Sequence, residues 1–328
     1  MSRFLMSNLL LYVATVLIWG STFFAIEYQL GVVEPEVSIF YRYAMASMLL
    51  FGWSMVRGLR LRFELRSHIW FVLLGFLLFG INYILTYRAQ VHITSALCAI
   101  AFSMMLWMNI INSRIFFGVR AGGRVILGAV LGIAGMGILF APQIGEFAFT
   151  DGVFFGSVLA VLGALSASFG NMVSQKAQKL KLPVIQSNAW GMFYGALMTG
   201  IVTAIEGHSF TFEWSPEYIA SLAYLTIFGS IVAFGAYLTL LGRIGAHKAG
   251  YAMVMFPVVA LILSTLFEGL EIDASIIVGT ALVLAGNLFV LGAKVPRELQ
   301  YTRRLIKTPD PGTLWKNSGL KGRQPETG

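Results

Sequence analysis

Long apolar runs alternate with short polar connections along this chain from its first residues to about residue 293. Nine of these runs lack charged side chains, and each supplies the roughly 20 residues that a helix needs to cross a bilayer. They are residues 4–26, 69–87, 93–113, 125–145, 152–175, 182–205, 218–242, 249–267 and 274–293. A tenth run, 37–56, is equally apolar except for Arg42. Because each helix satisfies its own backbone groups in lipid, the pattern predicts an all-α integral membrane protein with ten transmembrane helices.

Short motifs recur in the second half of the chain at a constant offset of about 150 residues. The recurring pairs are Trp19-Gly20-Ser21-Thr22-Phe23 with Phe169-Gly170-Asn171-Met172-Val173, Phe116-Phe117-Gly118 with Phe267-Glu268-Gly269, and Gly128 and Gly135 with Gly279 and Gly286. Five crossings per copy is an odd number, so the two copies must have opposite orientations in the membrane. The sequence therefore predicts two inverted five-helix repeats, residues 1–145 and 146–294, as in many solute transporters. Residues 295–328 are rich in proline and basic residues and are predicted to form a disordered cytoplasmic tail.

The charged residues predict how the chain is oriented. Only 12% of the residues are charged, 57% are hydrophobic and the mean hydropathy is +0.77, which excludes an ordinary soluble protein. With both termini in the cytoplasm, 21 of the 23 Lys and Arg fall in cytoplasmic segments, as the positive-inside rule requires. The net charge of +8 is then explained by orientation and by contact with anionic lipid, not by binding to nucleic acid.

Several residues stand at positions typical of one transporter family. They are Trp19, Gly20 and Ser21 at the end of the first helix, Arg42 early in the second, Pro257 within the ninth and Glu268 at its end. On these residues the chain resembles the EamA-type drug/metabolite transporters, over roughly residues 8–293. The chain departs from the family pattern at Phe117, where a glutamate is usual, and at Leu106, where the second half has Pro257.

The resemblance implies a central cavity between the two halves and the export of small metabolites, often amino acids. Polar and aromatic side chains within the predicted spans are the candidates to contact such a solute. The candidate cavity residues are Trp19, Thr22, Tyr83, Tyr87, Trp107, Asn171, Tyr237 and Tyr251. The resemblance favours Trp19 and Tyr237 because it places their helices around the cavity. Any one of these side chains is equally explained as a hydrogen-bonded tie between helices.

Arg42 is the only basic residue well inside a predicted span, and burying an arginine in lipid is costly. Glu27 ends the first helix on the same outer side of the membrane. We therefore predict an ion pair between Glu27 and Arg42, acting as a gate or as a structural tie. The alternative is that Arg42 reaches toward the outer interface while Glu27 is solvated.

Two backbone features are also singled out. Gly128 and Gly132 form a Gly-x-x-x-Gly face that indicates close helix packing, either within the chain or between the subunits of a homodimer. Pro257 removes a backbone hydrogen bond in the middle of the ninth helix. It is predicted to act as a hinge or to line the cavity, with a fixed kink as the alternative.

The sequence lacks the motifs of metal, nucleotide and covalent chemistry. The four histidines lie far apart in sequence, and the single cysteine, Cys98, excludes an internal disulfide. We therefore expect no cofactor, no metal and no catalytic residue. The prediction is a secondary transporter in a bacterial-type inner membrane that moves a small-molecule substrate by alternating access. A membrane-embedded enzyme or lipid-handling protein is the competing interpretation, and the oligomeric state, monomer or homodimer, stays open.

Overall fold

The computed structural model describes residues 2–139, 151–267 and 274–291 of the 328-residue chain. All regular structure in these ranges is helical. The helices of the first half are α1 (Ser2–Glu27), α2 (Pro35–Val56), α3 (Leu65–Leu74), α4 (Asn82–His92), α5 (Ser95–Ser103), α6 (Met105–Phe117) and α7 (Gly123–Leu139). Those of the second half are α8 (Asp151–Lys179), α9 (Val184–Ile205), α10 (Pro216–Tyr224), α11 (Ala233–Ile244), α12 (Ala246–Ala249), α13 (Ala252–Phe267) and α14 (Ala274–Leu291).

Four helical stretches are long and apolar enough to cross a bilayer by length and composition. They are Ser7–Glu27, Leu65–His92, Gly152–Lys179 and Pro216–Ile244. The described part of the chain is therefore all-helical, as expected of a helical membrane protein, while the count of ten crossings and the cytoplasmic location of both termini stay predictions. The predicted repeat boundary at 145/146, the tail 295–328 and Glu268 lie outside the described residues.

Two of these four stretches contain a widened π-helical segment at the same relative position. Gly75–Ile81 joins α3 to α4, and Leu225–Val232 joins α10 to α11 without a break in the helix. We call them the first and the second π segment. In a π turn the backbone hydrogen bonds shift by one residue, and such segments are frequent at functional sites.

Local sequence explains where several helices begin and end. Pro216 occupies the first turn of α10, where a missing N–H costs nothing, and the Ser215 hydroxyl accepts a hydrogen bond from the backbone N–H of Tyr218 at 3.3 Å. Helix α6 ends at Gly118, which has a φ of 67° in the left-handed region that favours glycine.

The helices pack mostly against partners from the other half of the chain. Helix α2 contacts α9, and α7 contacts α14, so helices at equivalent positions in the two halves pack on each other. Two more contacts correspond between the halves in the same way. The α4–α8 contact corresponds to the α11–α1 contact, and the α6–α8 contact corresponds to the α13–α1 contact. Exchanging the two halves therefore maps this set of contacts onto itself.

Glycines allow the closest of these approaches. A Cβ atom on Gly128 would lie 2.6 Å from the carbonyl oxygen of Gly286 across the α7–α14 contact. A Cβ on Gly75 would lie 2.6 Å from the carbonyl oxygen of Gly191 in α9. Both separations are far below a real carbon–oxygen contact, so a side chain would force these helices apart. Packing within the chain is confirmed for the Gly128 face.

Candidate functional site

A cavity lies among helices of both halves, near the middle of the long helical stretches. It encloses about 50 Å³ of space for the centres of water molecules, enough for only a few waters. Its walls come from α1, α4, α5 and α6 with the first π segment, and from α8, α11 and α13. The lining residues are Trp19, Thr22, Phe23, Ile26, Leu78, Asn82, Tyr83, Thr86, Phe102, Met105, Ala167, Asn171, Phe234, Tyr237, Met253 and Phe256. The cavity is therefore mainly apolar and aromatic, with a few polar groups.

Five of the predicted cavity residues line it, namely Trp19, Thr22, Tyr83, Asn171 and Tyr237. Trp19 forms an aromatic cluster, with its ring centre 4.7 Å from that of Phe234 and 5.0 Å from that of Tyr237. Its indole Nε1 donates to the carbonyl oxygen of Gly229 in the second π segment at 2.9 Å. Trp19 thus joins the cavity wall to a helix of the other half.

Asn171 supplies the polar side of the cavity. Its Nδ2 donates to the Tyr237 hydroxyl at 3.0 Å and approaches Oδ1 of Asn109 at 3.3 Å. Asn109 also accepts from the hydroxyl of Ser168 at 2.8 Å. The Oδ1 atom of Asn171 is buried and has no hydrogen-bond partner. A buried amide oxygen without a donor is costly, so this atom is suited to accept a hydrogen bond from a bound solute.

Trp107, Tyr251 and Tyr87 do not line the cavity. Trp107 packs beside a separate apolar cluster that includes Leu106, and the Tyr251 hydroxyl donates to the carbonyl oxygen of Gly128 at 3.0 Å. Tyr87 is fully buried beside Arg42. These three side chains therefore lie away from the cavity in this structure, their contact with a solute stays a prediction, and the Tyr251 hydroxyl forms an interhelical tie.

Pro257 lies within α13, one residue after Phe256 of the cavity wall. The side chain of Pro257 is buried but does not line the cavity. The structure places it where a bend in α13 would move the wall, and its role as a hinge stays a prediction.

The predicted ion pair between Glu27 and Arg42 is not formed among the described residues. Glu27 is exposed, whereas Arg42 is fully buried. The guanidinium contacts the second π segment and two tyrosine rings instead. Its Nε donates to the Ser230 hydroxyl at 2.8 Å, and its carbon Cζ lies 4.7 Å from the centre of the Tyr83 ring. The pair fails because α2 turns Arg42 inward, away from the outer end of α1.

An ion-pair network at the predicted outer ends of α2, α4 and α9 was not foreseen. Arg88 donates from Nε to Glu36 Oε1 at 2.5 Å and from Nη2 to the Glu206 carboxylate at 2.6 Å. Glu36 is buried, while Arg88 and Glu206 are partly exposed. The only sequence signal was that Arg88 is one of two basic residues outside the predicted cytoplasmic segments.

One group of side chains in this region has metal-ligand chemistry. The carboxylates of Glu34 and Glu36 and a ring nitrogen of His208 lie within 4.8 Å of one another. Glu36 already pairs with Arg88, and Glu34 is exposed. The group is therefore explained as part of the ion-pair network of Arg88 with Glu36 and Glu206.

Comparisons with known proteins agree with this arrangement. The sequence profile described as the EamA-like transporter family matches twice, to residues 6–141 and to residues 154–292. A solved crystal structure superposes with a TM-score of 0.71, covering 92% of this chain and 99% of its own, at 18% identity. At that identity the likeness shows the fold alone.

Curated relatives carry transporter names. The "Uncharacterized inner membrane transporter YedA" of Escherichia coli (strain K12) is 28% identical over 254 residues, covering 77% of this chain and 80% of the relative. The "Uncharacterized transporter YoaV" of Bacillus subtilis (strain 168) is 25% identical over 276 residues, covering 84% and 93%. An "Uncharacterized transporter" of Archaeoglobus fulgidus is 24% identical over 287 residues, covering 84% and 96%.

Proposed function

Because the chain belongs to the EamA-like transporter family, we propose that it exports small organic metabolites across the bacterial-type inner membrane by alternating access. Neutral and aromatic amino acids are the first candidates for the solute. We propose transport and not catalysis because the matching family and the curated relatives carry transporter names.

The observation that carries the proposal is the cavity between helices of both halves. Apolar and aromatic walls with a small number of placed polar groups are typical of small-molecule sites. The rings of Trp19, Phe234 and Tyr237 suit an apolar side chain, and the unpaired Oδ1 of Asn171 suits an ammonium or amide N–H. These groups meet at one place only because both halves contribute to the wall.

The size of the cavity supports a transport cycle with more than one conformation. Space for only a few waters is tight for a solute with an aromatic side chain, so in our proposal helices separate when such a solute enters. In our proposal, residues 1–145 and 146–294 are the two inverted repeats that rock against each other. The exchangeable pairing of α2 with α9 and of α7 with α14 supports this division.

Counterflow in proteoliposomes tests the proposal. Vesicles with the purified protein are loaded with unlabelled L-phenylalanine, L-leucine or L-threonine and diluted into the labelled amino acid. We expect transient accumulation of label above that in protein-free vesicles. If none of the three accumulates, the amino-acid assignment is wrong. Chemical conversion of the solute would instead support the competing enzyme interpretation.

A variant pair links the flux to the cavity. Ala167 lines the cavity, and Ala281 is exposed on α14. Ala167→Leu fills part of the cavity and should reduce counterflow strongly, while Ala281→Leu should leave it near the wild-type rate. Equal flux in both variants, with equal amounts of folded protein, would show that the solute passes elsewhere.

A further inference from the structure

Arg42 is a buried cation without a carboxylate partner among the described residues. Its side chain is 0% exposed. Nε donates to the Ser230 hydroxyl at 2.8 Å, and Nη1 makes a long contact of 3.4 Å with the Tyr87 hydroxyl. The third nitrogen, Nη2, is buried and has no hydrogen-bond partner. Arg88, by contrast, is half-exposed and yet holds two carboxylates.

The local environment compensates the charge of Arg42 only in part. A guanidinium keeps its proton in proteins, so it cannot lower the cost of burial by becoming neutral. Its Cζ lies 4.7 Å from the Tyr83 ring centre and 5.3 Å from that of Tyr43. Cation–π contacts of this kind offset only part of the cost of burying an ion. An anion that reached Nη2 would therefore bind strongly.

Nη2 lies close to the point where Thr22 of the cavity wall approaches Gly229. A Cβ atom placed on Gly229 would be 3.1 Å from Nη2 of Arg42 and 3.0 Å from a methyl carbon of Thr22. Thr22 and Tyr83 both line the cavity. The guanidinium therefore lies beside two side chains of the cavity wall, those of Thr22 and Tyr83.

We propose that Nη2 of Arg42 binds a carboxylate of the transported solute, so that organic carboxylates are the substrate class. This inference rests on the proposed function, since it assigns a solute group to the same cavity. Arginine is suited to the role because its planar fork matches a carboxylate and its charge is permanent. When the carboxylate arrives, the guanidinium exchanges part of its contact with Tyr83 for an ion pair.

Matched ligands test the inference on the wild-type protein, without relying on a variant that folds. The probes are L-phenylalanine, L-leucine and L-threonine, each compared with its carboxamide, and 3-phenylpropionate, a carboxylate without an amine. Binding is measured by thermal stabilisation of the purified full chain, followed with a thiol-reactive dye. The dye reports unfolding because Cys98 is the single cysteine and is fully buried.

We expect at least one acid of the panel to bind about 10- to 100-fold more tightly than its carboxamide, as for a hydrogen bond between charged groups. We also expect 3-phenylpropionate to bind. A panel in which no acid binds more tightly than its amide, including one in which nothing binds, overturns the inference.

A variant separates solute binding from a structural role. Arg42→Gln should bring the acid-to-amide affinity ratio close to one, and Arg42→Lys should retain an intermediate ratio because it keeps the charge. Arg57→Gln is the matched control, because Arg57 follows the same helix and stacks on Trp53 at 5.5 Å but is exposed. If Arg42 is only a tie between α2 and the second π segment, Arg42→Gln lowers stability and leaves the ratio unchanged.

The two proposals fail in different ways. Tight, carboxylate-selective binding without counterflow would refute the transport of these solutes and leave the Arg42 site standing. Counterflow that uses acids and carboxamides equally would leave the transport proposal standing and overturn the role of Arg42.

Discussion

Replacing Trp19 with phenylalanine should loosen the contact between the two halves at the cavity. The change keeps an aromatic ring against Phe234 but removes the Nε1–H that donates to the Gly229 carbonyl at 2.9 Å. Trp19 is 7% exposed, so this hydrogen bond is shielded from bulk solvent. Leaving a buried carbonyl without its partner costs about 1–3 kcal/mol. At about 2.1 cal/mol/K of unfolding entropy per residue, a loss of about 2 kcal/mol corresponds to roughly 3 °C in melting temperature for a chain of 328 residues.

The assay is thermal unfolding of the purified protein in detergent, read by dye labelling of Cys98 so that the loss of a tryptophan does not alter the signal. Trp53→Phe is the control, because Trp53 is 55% exposed and should change the free energy of unfolding by less than about 0.5 kcal/mol. Equal melting temperatures for the two variants would refute the idea that Trp19 holds the second π segment.

Two further perturbations act outside the cavity. Arg88→Gln leaves the buried Glu36 carboxylate without its counter-ion and should lower the free energy of unfolding by about 3–5 kcal/mol. Glu206→Gln changes a partly exposed pair and should lower it by only about 0–1 kcal/mol. Similar melting temperatures for the two variants would contradict this difference. Burial and the neighbouring Lys248 lower the pKa of His247 to about 4. Below about pH 6.5, His247 therefore becomes protonated in the unfolded chain before it does in the folded chain. Acidification then removes up to about 1.4 kcal/mol of stability per pH unit. His247→Gln should therefore flatten the melting temperature between pH 7 and pH 5, and an unchanged slope would exclude His247 as its source.

The helices and five of the residues that line the cavity could be predicted from the sequence, because hydropathy and polar residues within apolar runs are local signals. Which face of a helix meets the cavity was not predictable. Met105 lines the cavity and Trp107 does not, and Met253 lines it while Tyr251 does not. In each pair the residues are two positions apart, which is about 200° around a helix, so they point to nearly opposite sides.

The contact partners of Arg42 and Arg88 also could not be predicted from the sequence. Arg42 contacts Ser230, which lies 188 positions along the chain, and Arg88 contacts Glu206, 118 positions away. Proximity along the chain favoured Glu27 for Arg42, but the rotation of α2 decides the contact. The π segments likewise leave no distinct hydrophobic period in the sequence, since both lie within long apolar runs that have few polar residues to mark one.

At each π segment a side-chain hydrogen bond joins the two halves of the molecule. Trp19 of α1 donates to the Gly229 carbonyl of the second π segment, and Ser166 of α8 donates to the Leu77 carbonyl of the first at 2.7 Å. Each segment thus accepts a side-chain hydrogen bond from the first helix of the other half. Movement of α1 away from Leu225–Val232 would break the Trp19 bond and separate Thr22 from Gly229, which uncovers the guanidinium of Arg42. In our proposal, a single displacement of this kind widens the cavity and exposes the buried cation, which would couple solute entry to anion binding.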